Sequence, residues 1–114
     1  MKISKELLKG STPLLILSAI NAKDMYGYEI TRQIRVASDD VFNLNEGTLY
    51  PILHAMEKEN QVESYWQEVD GRKRKYYHIT KKGKKILAEK SEEWKVYSTS
   101  VERVLSLGTT PLTV

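Results

Sequence analysis

The sequence predicts a mainly α-helical chain with one small β-hairpin and a long last helix. Three observations carry that class. Apolar residues recur at helical spacing through three early segments. The period then changes in Val62–Val69 and Arg74–Ile79, which are rich in aromatic and branched residues and flank Asp70-Gly71, a strong hairpin-turn pair. Beyond the hairpin, Leu87, Trp94 and Val101 recur at seven-residue spacing, with Tyr97 and Val104 interleaved.

The first helix is predicted over Lys5–Asn21. Leu14, Leu15, Ile16 and Leu17 make it apolar nearly all round, so it needs cover on more than one side. Thr12-Pro13 reads as an N-cap and first-turn pair, so this helix either begins at Pro13 or runs through it with a bend. Ala22–Met25 reads as a short polar turn. The second helix starts at Tyr26 in YGYEITRQIRVAS and offers Tyr28, Ile30 or Thr31, Ile34 and Ala37 for burial. Asp39, Asp40 and Asn43 mark a loop, with Val41, Phe42 and Leu44 as apolar plugs.

The third helix, NEGTLYPILHAMEKEN, contains Gly47 and Pro51, both weak helix formers. Asn45 is a good N-cap, and Glu46 sits where the helix dipole favours a negative charge. At about 100° per residue, Leu49, Ile52, Leu53 and Met56 share a core face. Gly47, Pro51, His54 and Lys58 fall opposite, flanked by Tyr50 and Ala55. Pro51 crowds the carbonyl four residues back, which belongs to Gly47, the residue best able to adjust. The outward face is therefore thin, as suits close approach to another surface. Asn60 is placed to end the helix, because Asn tolerates the left-handed conformation found there.

In the hairpin, Tyr77 and Ile79 alternate inward against Tyr76 and His78, while Arg72 and Lys73 either extend the turn or open the second strand. Tyr76 is either a phosphate hydrogen-bond donor or an exposed strand former. Thr80 caps the last helix, from Lys81 to about Leu107, which Gly108 and Pro111 stop. The second and third helices form a helix-turn-helix and the hairpin is its wing. The expected fold is thus a winged helix-turn-helix plus a long C-terminal dimerisation helix. The predicted units are a DNA-binding domain over 1–79, a dimerisation helix over 80–108 and a flexible tail over 109–114.

Length and charge narrow the function. With 114 residues the chain makes one domain whose core is small enough for dimerisation to matter. There are no cysteines, so neither a disulfide frame nor a thiolate metal site, as suits a reducing cytoplasm. The apolar run Leu14–Leu17 is too short for a bilayer, which needs about 20 residues, and no signal-peptide pattern opens the chain. The net charge is only +3, yet Gly71–Ala88 holds eight Lys or Arg and no Asp or Glu. The remaining ten Lys and Arg face fifteen Asp and Glu, leaving the rest of the chain at −5. So local a basic patch suits a polyanion, most simply nucleic acid; a solvated hairpin without a partner is the alternative. Two His, no Cys and no metal-binding or nucleophile spacing argue against catalysis, and KKGKK lacks the phosphate-loop pattern. No cofactor is expected.

YGYEI at Tyr26–Ile30, GTLYPIL at Gly47–Leu53, LHAMEKEN at Leu53–Asn60 and DGRKRKYYHITKKG at Asp70–Gly83, in that order, resemble the PadR family of bacterial transcriptional regulators. The likeness covers nearly the whole chain. The single C-terminal helix, SYW at Ser64–Trp66 and Trp94 are similar to the smaller subfamily that includes multidrug-responsive repressors. Asn60 stands where the family commonly has Gly, and His54 where it often has Arg, which removes a guanidinium as guanine reader at that position.

A helix-turn-helix lays its second helix in the major groove of double-stranded DNA. Thr48, Tyr50 and His54 are therefore candidates for base or phosphate contact, Lys58 for phosphate, and Pro51 or Ala55 for a thymine methyl. Asn45 and Gly47 belong to the same surface. Tyr50 packing against the second helix is the alternative. Arg72, Lys73, Arg74 and Lys75 on the wing supply phosphate neutralisation. Leu14, Leu87, Trp94, Tyr97, Val101 and Val104 are the candidate homodimer interface, with Lys90 the polar interruption of the seam. A dimer spaces two recognition helices for a palindromic operator.

Resemblance to drug-sensing relatives further implies that Trp94 meets its symmetry mate across a pore for a small planar hydrophobic aromatic effector, lined also by Lys90 and Leu14. An ordinary dimer-core tryptophan is the other reading. The expected function is a dimeric repressor in the cytoplasm, released by such an effector. The competing class is a protein-interaction module whose basic wing binds an acidic partner.

Overall fold

The computed structural model describes residues 1–109. Its helices are α1 (Lys5–Ala22), α2 (Gly27–Ala37), α3 (Glu46–Lys58) and α4 (Lys81–Leu105), the last running into a 3₁₀ turn at Ser106–Gly108. Its strands are β1 (Met25–Tyr26), β2 (Val62–Val69) and β3 (Arg72–Ile79). The expected Pro111 stop, and all but the first residue of the expected tail, lie outside the described residues.

Local chemistry sets the ends of the elements. Ser4, Asn45 and Thr80 cap α1, α3 and α4 by accepting from the N–H groups of Leu7, Thr48 and Gly83. Helix α1 runs through Pro13, and the hydroxyls of Ser11 and Thr12 donate back to the carbonyls of Leu7 and Leu8 in the turn Pro13 interrupts. Asn60 adopts φ 61°; its N–H donates to the Glu57 carbonyl and that of Gln61 to the Met56 carbonyl. This is a Schellman closure of α3. Asp39, at φ 53°, closes α2 the same way, its N–H bonding Val36 and that of Asp40 bonding Arg35.

Asp70 and Gly71, both at positive φ, make a two-residue turn, so Val69 pairs with Arg72 and the second strand begins at Arg72. The sheet has one strand more than expected: Met25 and Tyr26 pair with Tyr77 and Tyr76, giving the order β1-β3-β2. Met25 is thereby buried and α2 begins one residue late, at Gly27.

One core joins Ile16, Leu17 and Ile20 of α1, Ile30 and Ile34 of α2, Leu49, Leu53 and Met56 of α3, and Val62, Tyr77 and Ile79 of the sheet. The inward placement of Tyr77 and Ile79 agrees with the alternation. Three expectations are corrected. Tyr28 and Ala37 are exposed, because the phase set by Ile30 and Ile34 turns Gly27 inward instead. Val41 is exposed, whereas Phe42 and Leu44 pack on the core. Leu87, counted with the dimer seam, is buried in the chain's own core.

Past Leu87, α4 leaves that core. The radius of gyration is 17.1 Å, against about 13 Å for a compact domain of this length. The excess comes from a helix that projects with Trp94, Tyr97, Val101 and Val104 exposed along it.

Candidate nucleic-acid interface

The third helix presents the face its sequence implied. Gly47, Thr48, Pro51, His54 and Lys58 are exposed, and Asn45 caps the helix with Oδ1 2.9 Å from the Thr48 N. Tyr50 is half-buried. Its hydroxyl end lies where a side chain on Gly27 would project, so only a glycine at the start of α2 allows this approach. Tyr50 therefore does pack on the second helix, while its ring remains 6.4 Å from that of exposed His54.

The wing divides its basic residues. Arg72 and Lys73 are exposed beside the turn. Arg74 and Lys75, further along β3, are half-buried. The Arg74 guanidinium lies 4.2 Å from the centre of the Tyr26 ring, a contact that orients the charge without neutralising it. Lys75 Nζ is 3.9 Å from a Glu57 carboxylate oxygen, and the Ser64 hydroxyl donates to the other oxygen of Glu57. One carboxylate of α3 thus fastens both wing strands to that helix.

Tyr76 is neither fully exposed nor free. It stacks on Tyr65 at 5.7 Å and meets Tyr26 edge-on at 5.5 Å. Below this ladder, Asp24 accepts from the Tyr65 hydroxyl at 2.7 Å and sits 2.8 Å from His78 Nδ1. Burial would raise the Asp24 pKa, but the hydrogen bonds from Tyr65 and His78 outweigh it and hold the carboxyl below its ordinary value. The same bond pushes the Tyr65 phenol up to about 12. The turn after α1 is in this way tied to both wing strands.

Helix and wing meet in a recess of about 360 Å³, where Tyr50 and His54 of α3 face Trp66, Arg74 and Lys75 of the wing across Tyr26, Gly27 and Tyr77. Lys58, Arg72 and Lys73 do not line it. Trp66 and Tyr26 are the residues sequence reasoning left out. The signal for Trp66 was present: a two-residue turn at Asp70-Gly71 fixes Trp66 opposite Lys75.

A second cavity, of about 270 Å³, separates α1 from α4. It brings together Leu14, Lys90 and Trp94, with Glu93, Tyr97 and the first turns of α1 around them. Among the described residues no cluster of metal ligands occurs, and no helix is long and apolar enough to cross a membrane.

Residues 16–89 match the family model described as the transcriptional regulator PadR-like family. A Lysinibacillus sphaericus protein of uncharacterised function is 40% identical over 81% of this chain and 85% of its own. A transcriptional regulator of Mycobacterium tuberculosis is 31% identical over 75% of this chain and 77% of its own. The crystal structure of a PadR-like transcriptional regulator from Bacillus cereus superposes with a TM-score of 0.79 at 36% identity, covering 89% of this chain and 97% of that one. These matches carry regulators rather than enzymes. With the exposed third helix, the basic wing and the projecting last helix, they establish that the chain belongs to the PadR-like family of DNA-binding transcriptional regulators.

Proposed function

We propose that the protein acts as a homodimeric repressor in the cytoplasm, reading a palindromic operator and released by a small planar hydrophobic effector. The observation that supports this best is the stripe of Trp94, Tyr97, Val101 and Val104, exposed on a helix that runs past its own core. Such a stripe on a small regulator needs cover, and a second copy supplies a matching one. Two copies present two third helices, whose thin faces enter successive turns of the major groove. Asn45, Gly47, Thr48, Tyr50, Pro51, His54 and Lys58 form the reading surface, and Arg72, Lys73, Arg74 and Lys75 neutralise phosphates.

The test is fluorescence anisotropy on DNA from upstream of the protein's own gene and on a scrambled fragment, at two salt concentrations. Preference for the first fragment, with affinity falling steeply as salt rises, is expected. Equal and weak binding to both would favour the protein-interaction reading, in which the wing meets an acidic partner.

The effector site is the cavity between α1 and α4. Its Trp94 indole and Leu14 side chain supply apolar walls, and Lys90 a cation at the edge. A ligand there acts by favouring a dimer geometry whose helix spacing misfits the operator. Planar dyes are expected to bind the wild type and release it from DNA. Trp94→Ala is expected to weaken dye binding at least about tenfold, since an aromatic wall is lost. Dye affinity unchanged by that substitution would exclude the site.

A further inference from the structure

The wing's aromatic residues are not all accounted for by packing. Tyr77 is core, and Tyr26, Tyr65 and Tyr76 stack on one another. Trp66 pairs with no other ring among the described residues and is 68% exposed. A tryptophan is a costly residue to leave in water, since burying its surface would be favourable. Its position is equally specific. Trp66 is the cross-strand partner of Lys75. Residues paired in this way share a face of the sheet, and the face holding Lys75 looks toward Glu57 of the recognition helix.

We infer that Trp66 contacts DNA: its indole is the apolar wall of the recess between wing and recognition helix, and the recess seats one sugar–phosphate unit of the DNA backbone. This rests on the DNA-binding reading above and adds a residue to it. The recess is lined on the indole's own strand face by the cation Lys75, with Tyr50 and His54 of α3 beside it, and Arg74, the next residue of the strand, closes its edge with its guanidinium on the Tyr26 ring. A bare phosphate would leave the indole uncovered. A wholly apolar ligand would leave Arg74 without a carboxylate partner and Lys75 with only the Glu57 carboxylate at 3.9 Å. A deoxyribose with its phosphate satisfies both halves, with the sugar against the indole and the anion against the cations.

The local charges fit that assignment. Arg74 is braced on the Tyr26 ring with its charge intact. Glu57 lies 3.9 Å from Lys75 and holds the ammonium at the rim, so Lys75 exchanges part of that contact for the phosphate. Gly27 keeps the floor open, because any side chain there would displace the Tyr50 hydroxyl.

A backbone contact makes predictions that a base contact does not. Trp66→Ala should weaken binding by about tenfold, toward the lower end for aromatic contacts with nucleic acid. The loss should be equal on upstream and scrambled DNA. The slope of log affinity against log salt should stay the same, because no phosphate neutralisation is removed. Lys75→Ala should instead lower that slope by about 0.9, the value for one phosphate contact. Trp66→Phe should keep most of the affinity by retaining a ring. Because Trp66 is exposed, its two variants should melt close to wild type, which a thermal scan checks. Unchanged affinity for Trp66→Ala would overturn the inference, as would a loss confined to one DNA sequence. If the wild type bound neither fragment, the DNA-binding reading itself would fail, an outcome distinct from failure of the variant.

Discussion

Replacing Val101 with Asp is expected to separate the protein into monomers and to lower its affinity for a two-fold symmetric operator by at least about a hundredfold. Val101 lies seven residues beyond Trp94, and at 38% exposure it is the least exposed of Trp94, Tyr97, Val101 and Val104. In a symmetric pairing of α4 helices the substitution enters the interface twice. Each carboxylate would have to lose its water among apolar side chains with no cation assigned to it, a penalty of several kcal/mol per ion. Half-site binding then loses the gain in effective concentration that the second recognition helix provides. Inside one chain, Val101 is exposed and outside the core cluster, so helix content should be kept. Sedimentation equilibrium and anisotropy, with circular dichroism as the control, read the three quantities. A variant that remains dimeric with unchanged operator affinity would remove the α4 seam from the proposed interface.

Gly83→Ala should destabilise the fold by about 2 kcal/mol or more, as for other overpacked sites. Helix propensity alone predicts the reverse, since Ala exceeds Gly by about 1 kcal/mol in a helix. The difference is steric. A side chain on Gly83 would run into the Gln61 carbonyl, with the Ile79 side chain 2.8 Å away. A backbone carbonyl cannot rotate aside as a side chain can, and this one also accepts the Thr80 N–H at 3.1 Å. Gly10→Ala is the natural control, because it too lies within a helix and meets nothing within 4 Å. Gly10→Ala should raise the denaturant midpoint slightly and Gly83→Ala should lower it clearly. Similar shifts for both would show that α4 does not need its close approach to Gln61.

The parts of the fold legible in the sequence are those decided within a few residues. Asn45 and Thr80 announce helix starts, Asn60 announces an end, and Asp70-Gly71 fixes the register of eight paired residues on each strand. The core face of α3 follows from its period alone. What was not legible depends on partners distant in the chain. Strand β1 is two residues long and exists because Tyr76 and Tyr77, some fifty positions later, offer it a ladder edge. Without that edge Tyr26 reads as the first residue of a helix. Leu87 fits the heptad seam by spacing, yet it lies where α4 still crosses α1 and the sheet, so the chain's own core claims it. The wing cations were visible as a group, but their division into exposed Arg72 and Lys73 and half-buried Arg74 and Lys75 required the packing of Glu57 and Tyr26.

The Gln61 carbonyl joins the C-terminal end of α3 to the N-terminal end of α4. It accepts from the Thr80 backbone at 3.1 Å and from the Thr80 hydroxyl, which also donates at 2.7 Å to the carbonyl of Asn60, the residue of the Schellman closure of α3. With Gly83 pressed against it, no slack is left between the two helices. This carbonyl is a shared point of attachment, and the two helices would turn about it as one bent lever. The long arm, 25 residues of α4, spans about 37 Å at 1.5 Å per residue. In the proposed dimer, swinging α4 by about 5° against its partner would move its far end by about 3 Å over that length, and a short arm carried with it would turn through the same angle. In the proposed dimer, whatever sets the crossing angle of the two α4 helices would also set the pitch at which the two α3 helices meet DNA.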